Sequence, residues 1–344
     1  MLFNIEEDSG ERVTGYVVPD GYSGVPVIRV CGRGQQLTVF AANEKREALV
    51  HAARHETGQC GFSIDASIVP ELRDLADLEL FDAETGMLIY RRPRPDNIRK
   101  KLLRLETHLF PLWALDNAVA QQFQYFAKGI ENFGRETVTQ LFLLNQVESV
   151  YLSGKILYKN YAYFVESGFH TLVMLQDPYA ELAERLLVLS KIRKTGAGHL
   201  GMREGAALEP AMDFAETLPI QNEKALRRAL RQMPGDVALL LANPLVRQLT
   251  AASPDEMPSG GAVAAALDIL ANSILVGRRH EPGKFLQAFA EFLNIEAGSL
   301  PSTPQFANVA PLARLLRDCG EVDIILEKDL ELYHYVEAAV DKTP

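Results

Sequence analysis

The residues of this chain that could hold an anion or move a proton fall in four places. Lys155 sits in the turn Ser153-Gly154-Lys155, where a lysine can anchor an anion as a point charge or donate a proton; the competing account is a surface lysine. Arg278-Arg279-His280-Glu281 is the densest polar cluster after a run that reads as a strand, Ser273–Val276. In open α/β sheets the carboxyl ends of strands line ligand crevices, which makes this cluster a binding candidate and His280 a catalytic one. His108 follows Glu106-Thr107 and could act as a base or serve as a satisfied structural histidine. Arg247 lies four residues after Asn243 on one helical face, a spacing that fits capping or an internal ion pair as well as a ligand contact. KTGAGH, 194–199, looks like a phosphate loop but also like a flexible glycine-rich connection, with His199 on its surface. The aromatic group Trp113, Tyr151, Tyr158, Tyr161 and Tyr163 reads as core or groove. There is no HExxH, GxSxG or GxGxxG, and no metal-ligand spacing, so no metal and no cofactor is expected.

The elements that must position these groups change character along the chain. Arg12–Val18, Val25–Val30, Gln36–Phe40, Gly61–Ile64, Leu78–Phe81 and Met87–Tyr90 are short runs rich in Val, Ile, Phe and Tyr. PDGYSG, GRG, ETG and AETG turns punctuate them, a spacing that predicts a small β-sandwich over residues 1–92. RRPRPDN at 91–97 is broken by prolines and reads as a linker, placed at 93–100. From 101 to 344, helices alternate with short apolar strands, which predicts an α/β domain with a parallel sheet. Helices are expected at Ala118–Lys128, Arg135–Leu144, Tyr179–Arg193, Asn222–Gln232, Pro234–Leu241, Ala262–Ala271, Pro282–Leu293, Val309–Leu316 and Glu321–Ala339. Residues 194–218 read as an irregular loop. Leu172–Leu175 reads as a central strand; Asp177 as N-cap and Pro178 in the first turn open the helix after it. That strand, turn and helix read QDPYAELAERL, with Gln176 before the turn and Glu181 and Glu184 after it.

Composition sets outer limits. The chain has 344 residues, is 47% hydrophobic and 23% charged, and carries a formal net charge of −10. That is ordinary for a globular protein with room for two domains. The acidic balance argues against nucleic-acid binding, which needs clustered Lys and Arg; Arg91–Lys101 and Lys224–Arg231 are too local and read as a solvated linker and helix face. The scattered Cys31, Cys60 and Cys319 read as small buried hydrophobes, which fits a reducing compartment. The start, MLFNIEEDSGERV, is acidic and lacks the pattern of a secretory signal. Ala262–Val276, the longest apolar stretch, is too short to span a bilayer. Cytoplasmic localisation is the expectation.

Several segments together resemble the sulfotransferase superfamily. FHTLVMLQDPYAELAERLLVLS at 169–190 is similar to its strand–turn–helix, close to LRDPxxRxxSxY. NPLVRQLT at 243–250, the run from Ala265 to Ile295 and the closing EKDLELYHYVEAAV resemble the 2-O-sulfotransferase branch. YLSGKILYKNY at 151–161 sits where that branch carries a histidine, with Lys155 in its place. Residues 15–62 resemble a small β-sandwich module found beside bacterial polysaccharide transferases, through Gly15-Tyr16, Ala42, Arg46, Leu49 and Gly61-Phe62. The resemblance implies a P-loop-type α/β domain acting in bacterial surface polysaccharide biosynthesis. It implies a nucleotide-type anionic ligand or a glycan, and partner proteins of a polysaccharide pathway. Gln176, Lys155, Arg247, Arg278 and Arg279 are the binding residues it would use.

The departures from the family alter the chemistry. Gln176 replaces an arginine, and Glu181 and Glu184 stand where the family holds its donor's 3′-phosphate with Arg and Ser. The segment matching the donor loop, LETHLFPLWALDNAV, has no glycine and no lysine. Buried carboxylates facing a bisphosphate cost several kcal/mol. Two readings follow: a divergent transferase that does not use the standard sulfate-donor site, or a catalytically inactive relative that binds glycans or scaffolds other enzymes.

Overall fold

The computed structural model describes residues 1–340 apart from Ala197 and His199, so His199 and part of the KTGAGH stretch lie outside the described residues. By backbone proximity the chain divides into two compact units. One comprises Met1–Lys101, Val119–Lys128 and Phe133–Leu152; the other comprises Leu102–Ala118, Gly129–Asn132 and Ser153–Pro344.

The first unit carries the six expected short strands and two that were not expected, the first and fifth in chain order. They are β1 (Leu2–Asp8), β2 (Val13–Val18), β3 (Val27–Gly32), β4 (Gln35–Ala41), β5 (Glu44–Lys45), β6 (Gln59–Ile64), β7 (Glu79–Asp82) and β8 (Leu88–Arg91). They form two four-stranded antiparallel sheets, β1-β2-β6-β5 and β4-β3-β7-β8, as the β-sandwich reading requires. Alternation sets which side chains go inside. Along β2, Val13, Gly15 and Val17 are buried while Thr14 and Tyr16 are half-buried. Cys60 is buried and Cys319 also; Cys31 is only half-buried, at variance with the expectation of three buried thiols.

Further along come β9 (Lys101–Leu105), β10 (Tyr125–Lys128), β11 (Val150–Gly154), β12 (His170–Leu175) and β13 (Leu275–Arg278), in sheet order β10-β11-β9-β12-β13. The pairings of β12 with β9 and with β13 are parallel, His170 opposite Leu102 and Leu175 opposite Arg278. β12 is apolar and buried along almost its whole length, as a strand covered on both faces must be. The chain's first strand in this sheet is its middle strand. Onward connections from β9 and β12 leave toward opposite edges, the kind of switch point at which open α/β sheets place their ligands.

The Pro178–Thr195 helix follows β12 as expected. Asp177 Oδ1 accepts from the Ala180 N–H at 3.0 Å, and Pro178 occupies the first turn, where its missing N–H costs nothing. Its buried face carries Leu182, Leu186, Leu189 and Ile192, packed with Met212, Leu312, Leu316 and Leu326. At the end of β13, Gly277 lets Phe285 of the Pro282–Leu293 helix press against the strand, since a Cβ there would collide with that ring.

Two expected elements differ. Ala118–Lys128 is not a helix: the helix is Trp113–Val119, and Tyr125–Lys128 is β10. Phe123, Tyr125 and Ala127 are buried alternately with less buried Gln124, Phe126 and Lys128, a period of two that the helical reading passed over. Residues 194–218 are not a loop throughout: helices run over Met202–Ala207 and Glu209–Thr217. Pro210 falls in the first turn of the second, and Ala211, Met212 and Ala215 form its buried face; Gly201 caps the first helix and Gly205 lies within it, so neither the glycines nor the proline prevent helices here.

Candidate functional site

The loop after β9, the middle strand of the five-stranded sheet, is built around a carboxylate. Glu106, the first residue past β9, is buried. Its Oε1 accepts from the His108 N–H at 3.1 Å and lies 2.8 Å from His108 Nδ1, which carries the proton of that bond. Its Oε2 accepts from the Leu112 N–H at 2.6 Å and from Arg104 Nη2 at 2.9 Å. Two backbone amides, a guanidinium and an imidazole thus converge on one internal carboxylate, the set of donors that elsewhere cradles a phosphate. Burial by itself would push the Glu106 carboxyl up; the Arg104 charge and these hydrogen bonds outweigh it and hold the group well below the usual carboxylate range. Arg104 is buried too and is forked onto Asp116 at 2.6 and 2.7 Å; Ser153 donates to Asp116 at 2.8 Å. Sequence reasoning singled out His108 and missed Glu106, although the two are only two residues apart.

Beside this loop, the ends of β12 and β13 frame a cavity of about 210 Å³. Its lining includes Gln176, Asp177, Glu184, Arg279, His280 and Phe306. Arg279 is buried and bound on both sides, to the Glu184 carboxylate at 3.0 Å and to the Pro304 carbonyl at 3.0 Å. Burial first, and the neighbouring Glu181 second, push the Glu184 carboxyl up against the pull of Arg279. Gln176 Nε2 points at Glu184 Oε2 at 3.4 Å, and its buried Oε1 has no hydrogen-bond partner among the described residues. Phe306, packed edge-on against Phe110 with ring centres 5.3 Å apart, gives the cavity a partly exposed aromatic wall.

The structure brings three of the sequence candidates, Gln176, Arg279 and His280, to this one cavity. The others lie elsewhere. Arg278 is turned to Glu281 at 2.6 Å. Lys155, one residue past β11, has its ammonium on both oxygens of Glu204 at 2.7 Å, and its N–H donates to Glu131. Arg247 donates to the Leu239 and Leu240 carbonyls at 2.6 and 3.3 Å. The expected side-chain pairing of Arg247 with Asn243 does not form. Asn243, at φ 43°, uses its Oδ1 to accept from the Lys328 and Asp329 N–H groups. Asp329 in turn accepts from the Leu245 and Val246 N–H groups; its burial pushes its carboxyl up to about 6. His108 is buried and does not line the cavity, and its Nε2 has no hydrogen-bond partner among the described residues.

The arrangement offers a small ligand hydrogen-bond acceptors, an aromatic wall and an arginine already neutralised by a carboxylate. Three cations at or just past strand ends have a carboxylate of the chain against them: Glu184 on Arg279, Glu281 on Arg278 and Glu204 on Lys155. Among the described residues no group of three or more His, Cys, Asp or Glu side chains could hold a metal ion, and no helix is long and apolar enough to cross a membrane. No protein-family model matches the chain, and no curated protein matches it either.

Proposed function

We propose that this chain is a catalytically inactive relative of the sulfotransferases that recognises a glycan, with the cavity at Gln176, Glu184 and Arg279 taking one uncharged, hydroxylated sugar unit. The observation that carries this reading is Glu106, a carboxylate of the protein itself in the place where a donor phosphate would be cradled. A second anion there would face that charge at close range. The cavity supports the same reading. Arg279 has its charge matched by Glu184, so an anionic ligand gains little from it, while the free Gln176 carbonyl needs a donor such as a hydroxyl. The Phe306 ring supplies an apolar face of the kind that stacks on sugar rings. In a pathway that assembles bacterial surface polysaccharide, such a protein would hold a growing glycan or scaffold other enzymes rather than transfer sulfate.

A glycan array probed with the purified chain checks this. Retention of uncharged oligosaccharides is expected, with affinity falling about tenfold in Gln176→Ala for the loss of one hydrogen bond at its upper range. An array without signal, or a Gln176→Ala protein that binds as the parent does, would overturn the reading.

A further inference from the structure

The first unit contains a cavity of about 500 Å³ that has no part in the site above. It runs along β1 from Phe3 to Asp8, and Tyr90, Gln124, Leu143 and Asn145 are among the residues facing it. β1 is an edge strand, paired to β2 on one side only. The open side carries a hydrogen-bond pattern that identifies its use. Phe3 donates its N–H to Gln140 Oε1 at 3.2 Å, and Gln140 Nε2 donates back to the Phe3 carbonyl. One side-chain amide thus does for Phe3 what a neighbouring strand's backbone would do. It also fixes direction: Phe3 turns its polar groups away from β2, and in an antiparallel pair residues alternate, so Ile5, opposite Gly15, turns its N–H and C=O the same way. Ile5 has no such partner among the described residues. A bulge then interrupts the ladder between Ile5 and Glu7.

We propose that this groove binds an extended, uncharged-to-basic peptide segment of a partner protein, which adds to β1 as a strand by pairing with the Ile5 backbone. Edge strands template such pairing unless charge, proline or cover blunts it. Here the bulge and Gln140 limit the free stretch without closing it. Leu143, exposed at the rim, offers an apolar contact, and Gln124 and Asn145 offer amides, which suits the alternating side chains of a strand. Charge selects the peptide. Glu6 is paired with Arg46 at 3.0 Å and Asp8 with Arg92 at 2.8 Å, but the exposed Glu7 has no ion pair among the described residues. A lysine or arginine in the peptide completes it, and an acidic peptide is disfavoured.

Short random peptides displayed on phage, selected against the full chain, supply the probe. The enriched peptides are expected to alternate apolar residues and carry Lys or Arg, and to slow amide hydrogen exchange at Ile5. Ile5→Pro removes the outward N–H at a position where an edge strand tolerates proline; it should leave the thermal midpoint in place and weaken the selected peptide about tenfold. Glu7→Lys should weaken basic peptides as well. Should Ile5→Pro fail to fold, N-methylation of the peptide backbone tests the same pairing from the other side and should abolish binding. The proposal is overturned if nothing is enriched, or if the enriched peptides bind Ile5→Pro or survive N-methylation unchanged. It is equally overturned if β1 is protected only by concentration-dependent self-association, which would make the occupant a second copy of the chain.

Discussion

Replacing Glu106 by alanine is expected to lower the unfolding free energy by about 3–5 kcal/mol, the range for breaking a buried ion pair from one side. The reason lies in what the carboxylate leaves behind. Arg104 keeps Asp116 as a partner, but the His108 N–H, the His108 ring and the Leu112 N–H all lose their acceptor inside a loop that water does not reach. Unsatisfied buried donors cost about 1–3 kcal/mol each when no rearrangement rescues them. Glu106→Gln keeps the shape and one acceptor, so a smaller loss is expected from it. Urea denaturation of the two variants beside the parent protein measures both. A loss below about 1 kcal/mol in Glu106→Ala would mean that the loop reorganises freely and that the carboxylate is no fixed occupant of it.

Leu186→Ala is expected to cost about 2–5 kcal/mol, the range for truncating a fully buried leucine. Leu186 is at 0% exposure on the inner face of the Pro178–Thr195 helix, among residues of the Glu209–Thr217, Val309–Arg317 and Gly320–Val340 helices. Side chains from several helices meet there, so the cavity left by the missing carbons has little means of closing. Leu187, one residue on, is only partly buried, and its alanine variant should lose markedly less. Equal losses at the two positions, or a loss under about 0.5 kcal/mol at Leu186, would show the helix turned differently on its neighbours.

What could be read in the sequence and what could not divides by distance along the chain. Asp177-Pro178 as a helix start, β12 before it and the Pro282–Leu293 helix rest on local rules of capping and periodicity, and the structure has them where those rules put them. The Ala118–Lys128 stretch failed because a helix and a strand abut within it, and only burial reveals the change from one period to the other. β9 and β11 are five residues each, too short for their own pattern to stand out, and they are strands because the sheet pairs them. The site shows the same division. Gln176 and the Arg279-His280 pair were visible as residue types at strand ends, and they do share a cavity. Their neutralising partners were not visible: Glu184 and Arg279 lie 95 residues apart, and Lys155 and Glu204 49 apart, so nothing local announces either pair. Glu106 was hidden for another reason. Beside a histidine it reads as that residue's helper, and only the fold makes the imidazole one of several donors serving the carboxylate.

Isothermal titration with adenosine 3′,5′-bisphosphate, the product form of the sulfate donor that sulfotransferases use, tests the central claim most directly. With Glu106 occupying the loop after β9 and Glu184 set against Arg279, no measurable heat of binding is expected at physiological salt. Each charge-assisted contact the ligand forgoes is worth about 1.5–3 kcal/mol, and several together take micromolar binding beyond detection. Sub-millimolar binding that disappears in Lys155→Ala or Arg279→Ala would contradict the account: it would mean that the internal pairs open to admit a bisphosphate and that the chain is a working transferase.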